Sequence, residues 1–373
     1  MGFSALAGCI AAATILARAD GFVHLRATPC LPPARDRKDG WRSRVAIDGL
    51  PQGLPRRRVV SVRSMDPLSA LEGMDLSSCD WSQYAFMLPV SICVAFLANT
   101  AGIGGAALFA PIYLIVFPAL GEKYPLASVN AAVGTALAVE FFGFTSGLVG
   151  YARRGFVDVA MALPIILITM PFSFLGANCI TMVPVPLLKS AYAFFMLATG
   201  IELLSPPELE SEDTDAASSP CREAPQELVD STGRSCEYVP PDLAPVQVTK
   251  LALGGALCGL LGVGVGEVVL PLLLRGGSNI PVQIAAGTSV LVVVSSVAAA
   301  ASKQWSDLLS AGGLSVVPWN LVVWQIPGVI VGAQLAARFQ GSLEQRKVER
   351  AIGSLFCVIG SAFGWLCLRV FLG

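Results

Sequence analysis

The sequence predicts an all-α polytopic membrane protein made of two homologous halves. Each half holds about four hydrophobic segments and opens on a helix that glycine breaks or that re-enters from the side it left. Three observations predict this. Hydrophobic residues make up 54% of the 373 and charged residues only 14%, and the mean hydropathy is +0.67, a balance suited to lipid rather than water. Apolar stretches of about 20 residues, the length a spanning helix needs, recur along the chain. The glycine-rich run GIGGAALFAP, Gly102 to Pro111, returns as GVGVGEVVLP, Gly262 to Pro271, each time between apolar stretches.

The duplication extends beyond the glycines. Pro271 follows Pro111 by 160 residues (271 − 111), and the same shift relates Gly264 to Gly104 and Gly360 to Gly200. Between these anchors Gly134-Thr135 pairs with Gly287-Thr288 at 153, and Pro171 and Gly176 pair with Pro327 and Gly332 at 156. A period this long argues for two half-domains rather than a solenoid.

Four regions follow: a leader over 1–80, a first transmembrane repeat over 81–204, an acidic linker over 205–247 and a second repeat over 248–373. In the leader, an apolar core from Ala5 to Leu16 precedes Ala17-Arg18-Ala19, a site suited to signal peptidase. From Phe22 to Ser64 the chain carries nine arginines against three acids, a transit-like balance. Two readings stay open for this segment. It is either the second part of a bipartite leader bound for a plastid membrane, or a disordered tail behind an ordinary signal sequence, with a plasma or endomembrane destination.

In the first half the apolar segments are Tyr84 to Phe117 with the break inside it, Ala127 to Gly150, Val157 to Ile180 and Pro186 to Leu204. The second half repeats them as Lys250 to Leu274, Val282 to Ala301, Val316 to Ala337 and Val348 to Leu372. The broken segment either crosses once with a kink or folds back as two half-helices. Between the halves, ten acids against Arg222 and Arg234, with prolines at both ends, read as a disordered linker.

A helix that starts inside the bilayer presents amide hydrogens without helical partners and the positive end of its macrodipole, together about half an elementary charge. Glycine lets a ligand approach them. Two such ends near Gly105 and Gly266 could hold a small oxyanion without a buried arginine. The competing reading is that these glycines only allow close helix packing. The candidate binding residues are Gly102, Gly104, Gly105, Gly262, Gly264 and Gly266 at the breaks, with Asn99 and Thr100 before the first. Asn130, Thr135, Thr288 and Ser289 stand at the start of the segments that follow. Hydroxyls of this kind commonly bond back to their own helix.

Charge within the apolar segments is sparse. Glu140, inside AVEFFGF, and Glu267, at the second break, are the candidate proton carriers; Glu267 also suits a carboxylate that complements a helix start. Arg153, Arg154 and Lys303 either form positive vestibules or snorkel and set topology. The one histidine, His24, lies in the leader, so neither a histidine-ligated metal site nor a histidine-based dyad is expected. The cysteines form no Cys-x-x-Cys pair. No ATP-binding loop is present, so movement of a solute would be secondary or channel-like. No cofactor, catalytic residue or nucleic-acid partner is expected.

These residues resemble the TauE/SafE sulfite exporter family, also called toluene-sulfonate uptake permeases. The resemblance rests on the glycine break followed by proline (Gly102, Gly104, Gly105, Pro111; Gly262, Gly264, Gly266, Pro271) and on the segments Ala132 to Ala136 and Ala285 to Ser289. It covers about Phe86 to Leu372 apart from the linker. It departs at Val265, where a glycine is lost, and at Glu267, which stands where the first copy has Ala107. The resemblance implies a multipass permease for sulfite, sulfonate or a similar sulfur-containing anion, whose partners are that small anionic substrate and the lipid bilayer. The alternatives are a metal or cation transporter and a membrane enzyme or assembly factor. A transporter of metals would need more intramembrane carboxylate, His or Cys than Glu140 and Glu267 supply.

Overall fold

The computed structural model describes residues 80–205, 226–229 and 235–372, apart from 122, 125, 127–128, 264, 277–279, 313–316 and 341–344. The leader readings therefore lie outside the described residues. Ten helices and one hairpin follow in order among the described residues: α1 (Met87–Ala101), α2 (Ala106–Leu120), α3 (Val129–Ala152), α4 (Val159–Cys179), α5 (Val185–Leu204), β1 (Gln226–Val229), β2 (Ser235–Tyr238), α6 (Pro245–Leu261), α7 (Val265–Gly276), α8 (Val282–Gly312), α9 (Trp319–Phe339) and α10 (Gln345–Leu372). Six of them, α3, α4, α5, α8, α9 and α10, are long and apolar enough to cross a membrane. The helical membrane fold expected from the sequence is thus observed.

The two glycine runs are real breaks. Helix α1 stops where Gly102 turns left-handed, at φ 64°, and the amide of Ile103 donates back to the carbonyl of Ala98 at 3.0 Å. Helix α6 stops in the same way at Gly262, φ 78°, whose amide donates to Cys258 at 2.9 Å. A Cβ is strained at such angles, which is why glycine ends these helices. Within α2, Pro111 withholds an amide and the following turn, Ile112–Val116, widens into a π-helix.

The first broken segment folds back. Its helices of 15 residues each reach only about 22 Å, short of the roughly 30 Å hydrocarbon core. The residues that lead into α1 meet those that leave α2. The rings of Tyr84 and Phe117 lie 5.2 Å apart and those of Tyr84 and Tyr124 5.7 Å. The Tyr84 hydroxyl also donates to the Tyr124 carbonyl at 2.9 Å. Of the two geometries open to this segment, the re-entrant hairpin is the one observed.

Around the hairpins, α1 packs along α9 and α6 along α4, while α3 and α8 cross each other and also touch α9 and α4 respectively; α5 pairs with α10. Small residues make these contacts close. A Cβ at Gly328 would lie 2.8 Å from the Leu88 carbonyl, and one at Gly255 2.5 Å from that of Thr169. Leu163, Leu167, Phe194, Val358 and Trp365 on α4, α5 and α10 face outward, as lipid-facing side chains do.

The linker departs from the disordered expectation at residues 226–229 and 235–238. There β1 and β2 pair antiparallel, Leu228 opposite Cys236. Tyr238 is buried and its hydroxyl donates to Asp158 Oδ2 at 2.5 Å. Asp158 in turn accepts from the amide of Met161 at the start of α4. An acidic composition does not signal such docking, because one aromatic side chain and one capping carboxylate secure it.

Candidate functional site

The two breaks meet. A Cβ at Gly266, in the first turn of α7, would lie 2.7 Å from the carbonyl oxygen of Gly102 and 2.9 Å from the amide nitrogen of Gly104. Gly262 faces Ala106 in the first turn of α2. Ser289, early in α8, donates to the Gly102 carbonyl at 3.2 Å. The chain therefore brings Gly102, Gly104, Gly105, Gly262, Gly266 and Ser289 to one seam between its halves.

Both intramembrane carboxylates reach that seam. A Cβ at Gly104 would sit 3.2 Å from Glu140 Oε1 and 3.6 Å and 3.7 Å from the two oxygens of Glu267. Glu140 comes from the middle of α3 and Glu267 from the first turn of α7; both are buried, 2% and 6% exposed. The Glu140 carboxylate faces the amides of Ala106 and Gly105, yet neither of its oxygens completes a hydrogen bond of normal geometry. The helix start that the sequence assigns to an anion is thus faced by a carboxylate of the protein itself. A cavity of about 50 Å³ adjoins Glu267 and runs toward Thr199, Glu202 and Arg346 at the linker end of α5 and α10.

The remaining predicted residues take other positions. Thr100 donates to its own helix at Phe96, 2.7 Å, and Asn99 to Ala95 at 2.9 Å; the Asn99 side-chain oxygen is buried without a partner. Thr288 accepts the amide of Asp158 at 3.1 Å, which ties it to the loop before α4. Thr135 is buried in α3. Gly264 and the side chain of Asn130 lie outside the described residues.

Two residues at the seam escape sequence reasoning. Tyr192 of α5 donates to the Ala107 carbonyl at 2.6 Å and feels both carboxylates. Cys258 of α6 feels the same pair and pairs with Ser173. A tyrosine in the middle of a mostly apolar segment is the signal that could have drawn attention to α5. Among the described residues no group of three or more His, Cys, Asp or Glu could hold a metal ion.

Two broken helices meeting at depth, with carboxylates buried between them and membrane-spanning helices around them, make this chain a multipass membrane transporter. Comparison with known proteins agrees and narrows the class. The chain belongs to the sulfite exporter TauE/SafE family, whose model matches residues 87–363. It is similar to the probable membrane transporter protein MJ0441 of Methanocaldococcus jannaschii, 26% identical over 216 residues that cover 57% of this chain and 70% of that protein. The probable membrane transporter protein YdhB of Bacillus subtilis is 30% identical over 123 residues, 33% of this chain and 47% of the relative. A third, ORF9 of a Sinorhizobium species, carries the same description and is 26% identical over 136 residues, 36% of this chain and 48% of its own length. No solved structure matches the chain.

Proposed function

We propose that the chain moves a small sulfur-containing oxyanion, sulfite or a sulfonate, as a secondary transporter coupled to protons. The observation that carries this reading is Glu140 facing the amides of Ala106 and Gly105 with no completed hydrogen bond. Charged carboxylate and substrate oxyanion compete for the same helix start. A proton on Glu140 removes the competing charge, frees the amides and turns the carboxyl into a donor toward the anion. Loss of that proton restores the repulsion and expels the anion. Glu267, which lines the cavity toward Thr199 and Arg346, relays the proton to the linker side. The family description adds sulfite as the substrate class.

Two equivalent halves suit this mechanism, and the packing supports them. Exchanging the halves maps the α1–α9 contact onto α6–α4 and α3–α9 onto α8–α4, and leaves α3–α8 and α5–α10 unchanged. Delivery to a plastid membrane by residues 1–80 rests on the arginine-rich stretch after Phe22. A fluorescent fusion of those residues that reaches only the plasma membrane removes that destination.

Radiolabelled sulfite and methanesulfonate flux into proteoliposomes, under an imposed pH gradient, tests the reading. Wild type is expected to accumulate label when the outside is acidic. Glu140→Gln, which cannot carry the competing charge, is expected to bind and exchange the anion without response to pH. No flux of any sulfur oxyanion by wild type, or an unchanged pH response in both Glu140→Gln and Glu267→Gln, overturns it.

A further inference from the structure

We propose that the groove between α3 and α9 at their arginine-bearing ends is a binding site for an anionic phospholipid. Its headgroup phosphate is held by Arg153, Arg154 and Arg338, and an acyl chain lies along Leu335, Val331 and Ile330. The groove encloses about 410 Å³ and is lined by three arginines and no acid. None of the described carboxylates forms an ion pair with Arg153, Arg154 or Arg338. The groove is also built across two helices: Arg154 donates to the carbonyl of Arg338 at 3.0 Å, which fixes one guanidinium over the gap between α3 and α9.

The apolar wall selects a lipid over a free anion. Val331 and Ile330 are 46% and 38% exposed, and Ile330 lies eight residues, about 12 Å, deeper along α9 than Arg338. An anion in the cation cluster therefore has hydrocarbon-compatible surface running inward from it, and basic pockets between membrane helices take lipid headgroups. Neither Glu140, Glu267 nor either glycine break lines the groove, so the site is separate from the proposed transport path.

Native mass spectrometry of the full chain tests the site, in detergent with equimolar phosphatidylglycerol and phosphatidylcholine of identical acyl chains. Wild type is expected to retain phosphatidylglycerol about tenfold over phosphatidylcholine, on the order of the attraction such clusters exert. R153Q/R154Q/R338Q is expected to bring the two lipids to parity, and millimolar inorganic phosphate to leave wild-type retention unchanged. Equal retention by wild type, undiminished preference in the triple variant, or displacement by inorganic phosphate overturns the proposal. Should the triple variant not fold, Val331→Trp keeps all three arginines and fills the groove. It is expected to lose the bound lipid, and full retention by it is likewise fatal.

Discussion

Gly266 leaves no room for a side chain where the two breaks meet. A methyl group there would meet the Gly102 carbonyl oxygen at 2.7 Å, the Gly104 amide nitrogen at 2.9 Å and the Ile103 Cα at 3.0 Å, all backbone atoms that cannot swing aside. Gly266→Ala is therefore expected to cost about 1–3 kcal/mol, the usual range for overpacking, read as a lowered midpoint in thermal unfolding in detergent. Gly104→Ala differs in kind. Its methyl would press on Glu140 Oε1 at 3.2 Å, a side-chain atom, so the variant is expected to fold but to lose most anion flux. Normal flux in Gly104→Ala would show that the space beside the carboxylates is not used. At this scale the sequence is partly legible. Glu267 advertises itself by standing in a glycine break and Glu140 by standing in a run of apolar residues. That the two share one point follows only from the first break, at Gly104, lying against both of them. Thr100 and Thr288 look equally suitable in the sequence, but Thr100 bonds back to its own helix and Thr288 takes the amide of Asp158 from the loop before α4.

Elements show the same mixture. The left-handed ends of α1 and α6 are foreseeable from their glycines, whereas the choice between a kinked crossing and a hairpin depends on Tyr84 meeting Phe117 and Tyr124 across about 40 residues of chain. The linker hairpin depends likewise on one distant bond, Tyr238 to Asp158. Tyr238→Phe removes a buried donor and is expected to cost about 1 kcal/mol, seen as faster amide exchange in β1 and β2. Burial, and after it the Asp158 carboxylate, push the Tyr238 hydroxyl above the ordinary tyrosine range. The stabilisation is thus complete below about pH 10, the unfolded tyrosine value, and is lost only as pH climbs through the raised folded value. Exchange in β1 and β2 should stay flat from about pH 6 to 9 after correction for intrinsic chemistry; a rise near neutrality would assign the latch to another group.

For the whole molecule, if the second broken segment folds back as the first does, six crossings give an even count. Asp80 and the end of α10 are then expected on one side of the membrane, with the linker hairpin and Arg153, Arg154, Arg338 and Arg346 on the other. Single cysteines introduced at the exposed Ser82 and Ser235 in a cysteine-free background, probed with an impermeant thiol reagent in sealed vesicles, check this. Labelling of both from one face contradicts it. Helix number, break positions and the lipid-facing character of the chain are readable from hydropathy and glycine spacing, because those properties are local. The pairing of α1 with α9 and of α6 with α4 is not, since it depends on which small-residue faces find each other across the halves.

The contact of Gly266 with the peptide between Gly102 and Gly104 has a mechanical corollary. The tip of each hairpin bears on the tip of the other without a cushioning side chain. A push on one tip is handed directly to its counterpart, and the pair is obliged to travel as a single piston.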